Sequence, residues 1–233
     1  MASVGEEIIL DLQKQSLREV NRSLHENSPS LAGQSIQILH PAGHHSVAAG
    51  VNVAAHIEVQ GHVGYYAAGM NRQAAITIDG NAGCGLAENM MSGQVRLKGN
   101  ASTCAGATAQ GGLLIIEGNA ASRCGISLKG ADIVVVGSVG HMSGFMAQAG
   151  RLVVCGDAGH GLGDSLYEAV IYVRGELHGL GADAQQQDMT DEDVAQLERL
   201  LAAAEFSHKP QEFKRIGSAR TLYHWNPDAD LEY

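Results

Sequence analysis

The chain has 233 residues, 45% hydrophobic and 17% charged, with a formal net charge of −10. That suffices for one mid-sized core with appended segments and carries too little charge for wholesale disorder. No run approaches the roughly 18 apolar residues of a membrane span, no Lys/Arg block exceeds two, and an acidic chain without a basic stripe excludes nucleic acid and membrane as expected partners.

The N-terminus lacks the basic-then-apolar pattern of a signal peptide, so a cytoplasmic location is expected. Three segments are expected: a cap with a short helix over 1–33, a parallel β-helix over 34–182, and a helix with a docking tail over 183–233. In the first, Ser16 and Glu19 have capping-box spacing, and Leu17, Val20 and Leu24 recur at helical spacing. Residues 34–56 read as a degenerate first coil.

From Ile57 onward a repeat takes over. The hexapeptides IEVQGH, ITIDGN, VRLKGN, LIIEGN, IVVVGS, LVVCGD and IYVRGE begin 19 residues apart, from 57 to 171. Positions 1 and 3 are always Ile, Val or Leu, the alternation of a β-strand with one buried face. Position 5 is always glycine: Gly61, Gly80, Gly99, Gly118, Gly137, Gly156 and Gly175. These are read as turn glycines that supply a positive φ. Nineteen residues are too few for a strand and a crossover helix, so the repeats must stack as coils. The expected fold is all-β: a single-stranded parallel β-helix solenoid of about seven coils, right-handed by the general crossover preference. It also accounts for 30 glycines and only 4% aromatic residues, since a narrow core turns often and has no room for rings.

Two further columns follow the repeat. After the glycine come His62, Asn81, Asn100, Asn119, Ser138, Asp157 and Glu176, in which Asn81, Asn100 and Asn119 are placed to form a turn ladder. Further on, Ala68, Ala87, Gly106, Gly125, Gly144, Gly163 and Ala182 require close backbone packing. The outward positions are polar in the first three strands and largely apolar in the next three. Ile115, Val134, Val136 and Val153 would therefore form an external apolar strip, covered by a terminal helix of the chain or by a partner.

Beyond the repeat, Thr190 and Asp193 have capping-box spacing ahead of a helix near 191–205 with Val194, Leu197, Leu201 and Ala204 on one face. The segment FKRIGSARTLYHW (213–225) is locally basic and, with its neighbours, holds half of the chain's aromatics. Phe213, Arg215, Arg220, Tyr223 and Trp225 are candidates for a docking tail, or for a cap that folds back onto the solenoid.

Little here resembles an active site. The glycine runs at 137–144 and 156–163 are followed by strands rather than a helix, which is not the dinucleotide fingerprint. Cys84, Cys104 and Cys124 drift by one offset per coil, lack CxxC spacing, and read as small packed side chains. His141 and His160 share an offset, with His178 one position away, and read as turn-lining residues. No catalytic, cofactor-binding or metal-ligating residue is expected in this chain.

Taken together, the 19-residue glycine repeat, the opening LQKQSLREVNRSLHE (12–26) and the closing FKRIGSARTLYHW (213–225) resemble the GXGXG domain at the C-terminus of the glutamate synthase large subunit, a right-handed parallel β-helix. The resemblance covers nearly the whole chain. It implies a separate β-helix subunit of a split, glutamate-synthase-like enzyme, such as the methylamine–glutamate N-methyltransferase (N-methylglutamate synthase). The partners implied are a class II glutamine amidotransferase-like subunit and an FMN-dependent glutamate synthase-like subunit carrying FMN and an iron–sulfur cluster. The reaction implied joins methylamine to glutamate and releases ammonia, with this chain as a non-catalytic scaffold. A GXGXG subunit of glutamate synthase, or of a formylmethanofuran dehydrogenase-like complex, is the related alternative. A polysaccharide-acting or purely structural solenoid is the alternative from another class.

Overall fold

A computed structural model describes residues 8–26 and 28–220. Nine strands run parallel in chain order: β1 (Ile8–Asp11), β2 (Ser35–Leu39), β3 (His56–Gln60), β4 (Ala75–Ile78), β5 (Gln94–Leu97), β6 (Leu113–Ile116), β7 (Lys129–Val135), β8 (Ala149–Val154) and β9 (Val170–Val173). Ile57, Ile76, Val95, Leu114, Ile133, Leu152 and Ile171 are successive Cα partners. Hexapeptide position 1 therefore stacks on itself without slippage, as a β-solenoid requires. A single-residue slip would turn every aliphatic side chain outward.

A second line of parallel bridges joins Val63, Ala82, Ala101, Ala120, Val139, Ala158 and Leu177. The remaining wall is a turn ribbon whose backbone enters the left-handed region at every second residue. Tyr66, Ala68 and Met70 have φ of 60°, 52° and 57°, and their 19-residue equivalents repeat the pattern up to Gly161, Gly163 and Ser165. A non-glycine residue there costs roughly 1–2 kcal/mol. Bonds between coils fix the conformation: Tyr66 N–H donates to the Cys84 carbonyl at 2.8 Å, Ala68 N–H to Val47 at 2.9 Å and Met70 N–H to Glu88 at 2.8 Å. Inside lie mainly small and aliphatic side chains, such as Ala67, Leu86, Ala105 and Cys124 in one column and Met90, Ala109, Leu128 and Leu166 in another; Asn71 opens the second column and is buried with its amide bonded to the Ala74 backbone.

The glycines that close the strands play a different part from the one expected. Of the seven, only Gly61 has a positive φ, 132°. The other six are glycine because the coil below leaves no space. A Cβ on Gly118 would lie 2.6 Å from Asn100 Oδ1 and 2.7 Å from the Gly99 carbonyl oxygen. The left-handed conformation belongs instead to the second small-residue column, Ala68 to Gly163, although Ala182 does not share it.

The ends are more elaborate than the repeat. Helix α1 (Leu17–Glu26) begins with the expected capping box: Ser16 N–H donates to Glu19 Oε2 at 2.8 Å and Glu19 N–H to Ser16 Oγ at 3.4 Å. Its Val20 and Leu24 are buried, and Asn21 clasps the turn wall through the Ser46 carbonyl and the Ala48 N–H. At the other end the tail folds back. Strand β11 (Lys214–Ser218) pairs antiparallel with β9, and β10 (Ala184–Gln187) pairs antiparallel with β11. The exposed edge of the last coil is thereby covered, a common protection against edge-to-edge association. Strands β1, β10 and β11 were not foreseen from the sequence.

Candidate interaction site

Helix α2 (Asp191–Ala203) lies on the outer face of the sheet. Ile115, Val134 and Val153, with Cys155 and Tyr172, are buried with Leu197, Leu200, Leu201, Ala204 and Phe213 in a second core, separate from the solenoid interior. Three members of the external apolar strip are thus sealed by the chain itself and are not offered to a partner. Val136 is half-buried and takes no part in that cluster. The helix face is rotated slightly from expectation: Leu200 is buried and Val194 only half so. Phe213, a candidate docking residue, is likewise an internal anchor.

Polar contacts hold the helix at both ends. Thr190 and Asp193 form the expected capping box. Asp193 also accepts from Tyr172 Oη at 2.6 Å and from Arg215 Nε at 2.9 Å, so a second docking candidate, Arg215, serves to clasp α2 to β9 and β11. At the C-terminus Arg96 donates to the Ala203 carbonyl at 3.4 Å and pairs with Glu117 at 2.8 Å, a cation placed where the helix dipole favours one. Between them Arg199 reaches Asp132 at 3.0 Å.

The clasp sets two protonation states. Burial, the largest influence on Asp193, pushes its carboxyl up. The bonds from Thr190, Tyr172 and Arg215 together outweigh it and hold the pKa near about 2, down from 3.8. Burial first, and then the bond to Asp193, push the Tyr172 phenol up. Because the folded Asp193 pKa is the lower one, its stabilisation is complete above the unfolded value and is lost as pH falls from about 4 toward 2. The difference is worth about 2 kcal/mol. Acid titration of unfolding should show a steep loss of stability in that window, and an Asp193→Asn variant should flatten it.

The residues after the strand-closing glycines build a continuous ladder. Asn100 N–H donates to Asn81 Oδ1, Asn119 N–H to Asn100 Oδ1 and Ser138 N–H to Asn119 Oδ1, each at 2.8 Å. Below, Asn81 N–H donates to His62 Nδ1 at 2.9 Å. Above, Ser138 Oγ and Asp157 Oδ1 continue the series to Glu176. Each side chain accepts from the next backbone, rather than forming an amide-to-amide stack; the one such contact, Asn100 Nδ2 to Asn81 Oδ1, is 3.5 Å long. Asn100→Ala removes one rung at an exposed N–H and should cost about 1 kcal/mol in chemical denaturation.

Thiols and imidazoles are poorly placed for chemistry. Burial pushes the Cys124 thiol up to about 12 and the Cys155 thiol to about 11, so neither is a thiolate at neutral pH. Cys104 is also pushed up, by burial and then by Cys84. The ring pair in contact is His160 with His178, centroids 6.1 Å apart. Among the described residues no group of three or more His, Cys, Asp or Glu is placed to hold a metal ion, and no helix is long and apolar enough to cross a membrane. Of the tail candidates, Arg220 pairs with Asp183 and lies over the Tyr167 ring; Tyr223 and Trp225 fall outside the described residues.

What remains open is surface. The outward face of β2–β4 forms a polar groove of about 380 Å³ beside Gln37, His56, Glu58 and Thr77. On the turn wall of the first two repeats Tyr65, Tyr66, Met70 and Met91 are exposed. These four stand outside the columns that the sequence repeat singles out. The signal was a pair of adjacent tyrosines where later coils carry mostly small or polar residues.

No protein-family model matches the chain. Across 221 residues it is 53% identical to protein GlxC of Rhizobium meliloti (strain 1021), a match spanning 94% of this chain and 97% of that protein. An identity this high over almost the full length of both shows common descent and a common fold: the chain belongs to the GlxC family.

Proposed function

We propose that this chain is the non-catalytic β-helix scaffold of a glutamate-synthase-like amidotransferase complex, acting in the formation of N-methylglutamate from methylamine and glutamate. Its partners in this reading are a class II amidotransferase-like subunit and a synthase-like subunit that carries FMN and an iron–sulfur cluster. The observation that carries the reading is the 19-residue register that all seven hexapeptides keep, in which every coil is committed to stacking. The resemblance of the opening and closing segments to the GXGXG domain adds the enzyme class. A rod with its own second core offers a stiff platform of fixed length, which suits holding two catalytic subunits at a set separation.

Reconstitution tests it. Methylamine and glutamate should give N-methylglutamate and ammonia only when all three subunits are present. The full rate without this chain would refute the scaffold role, and glutamate formed from glutamine and 2-oxoglutarate instead would reassign the complex as a glutamate synthase.

A further inference from the structure

The turn wall of the first two repeats combines features that a bare surface seldom carries together. Tyr65, Tyr66 and Met70 are each about half exposed. The aromatic pair is held in place: the His45 ring stacks on Tyr65 at 4.4 Å and 13°, and Tyr65 lies edge-on to Tyr66 at 6.3 Å. Rigid aromatic side chains lose little entropy when a partner covers them. Beside them lies a recess of about 300 Å³, lined by Ala49, Tyr66, Gly69, Met70 and Glu88. Glu88 is half-buried, and it enters none of the ion pairs among the described residues.

A carboxylate on an aromatic and thioether wall is chemically complementary to a long-stemmed cation. The stem covers apolar surface while the head reaches the carboxylate and the ring face. The chain already uses this arrangement at the other end of the same wall, where Arg220 lies over Tyr167 at 5.8 Å and pairs with Asp183. There the cation comes from the chain's own tail.

We propose that the turn wall of the first two repeats is a docking surface on which a partner subunit seats a lysine or arginine side chain between Tyr66, Met70 and Glu88. The inference rests on the scaffold reading for the existence of a partner, and on the charge and shape of this recess for its chemistry. A net charge of −10 on this chain also favours a basic surface opposite it.

The test is calorimetric titration of the purified chain into each purified partner subunit, amidotransferase-like and synthase-like. Glu88→Lys should weaken binding to one of them by about 100-fold or more, and Glu88→Gln by about 10-fold with a shallower salt dependence. Met70→Asp should weaken binding comparably. Met146→Asp is the matched control: Met146 lies further along the wall in the same column, is also exposed, and shares the left-handed backbone, with φ of 53° against 57°. It should bind like the parent chain. Circular dichroism melting of all four variants should match the parent, which separates lost docking from lost folding. Parent-like affinity of Glu88→Lys and Met70→Asp, or damage from Met146→Asp alone, would overturn the docking surface and leave the scaffold reading standing. Failure of the parent chain to bind either subunit would overturn both.

Discussion

Val134→Asp is expected to destabilise the protein by about 3–5 kcal/mol, because it places a carboxylate in a fully buried position within an apolar cluster. The side chain lies on the outer sheet face beneath α2, among Leu197, Leu200 and Leu201, so the second core rather than the solenoid interior takes the damage. For a domain of this size the melting temperature should fall by roughly 10 °C or more. Hydrogen exchange should show α2 and β11 losing protection first, while β3 and β4, which contribute nothing to that cluster, keep theirs. The same substitution at half-buried Val136, which stands outside that cluster, should cost far less. Equal damage at both positions would mean that α2 does not seal the face as described.

Gly118→Ala is expected to cost about 3 kcal/mol, although alanine is ordinarily the mildest of substitutions. Its Cβ would meet Asn100 Oδ1 and the Gly99 carbonyl well inside contact distance, so the two coils must part. Parting them strains the Gly118 N–H bond to Gly99, 3.1 Å long, and the adjacent ladder rung from Asn119 to Asn100. Overpacking and two weakened bonds each contribute of order 1–2 kcal/mol. Gly125→Ala should be much milder, near 1 kcal/mol, though Gly125 has φ of +68°. Ala68 and Ala87 already occupy that column in the same conformation, and the added Cβ would stand 3.4 Å from Ile133. Urea denaturation of the pair separates the two reasons for glycine in this fold: lack of space in one column, backbone conformation in the other.

The strands and their register were legible because one period, repeated without a gap, leaves a single way to align Ile57 with Ile76 and each later copy. The two capping boxes were legible because they are local, Ser16 with Glu19 and Thr190 with Asp193. Other features depend on what lies one coil away. The crowding at Gly118 comes from the Asn100 side chain, 18 residues earlier, and nothing in the hexapeptide itself distinguishes it from a positive-φ turn. Strands β10 and β11 are short and irregular; in KRIGS only Ile216 turns its side chain into the core, so no alternation announces them. The same holds for the clasp, where Asp193 read as a helix cap and proved also to be the partner of Tyr172 and Arg215. The recess at Glu88 was invisible for the same reason: Tyr66, Met70 and Glu88 acquire meaning only when two coils stand one above the other.

In the proposed function this chain is a stacked scaffold and the cofactors reside in its partners. Flavin absorbance and iron content, measured on the chain alone and on each subunit separated from the assembled complex, decide where they lie. The expected result is a colourless chain without stoichiometric flavin or iron, which joins the complex in fixed ratio while both cofactors follow the synthase-like subunit. A chain that retains one flavin or one iron–sulfur cluster per molecule, or that turns over substrate on its own, would contradict it.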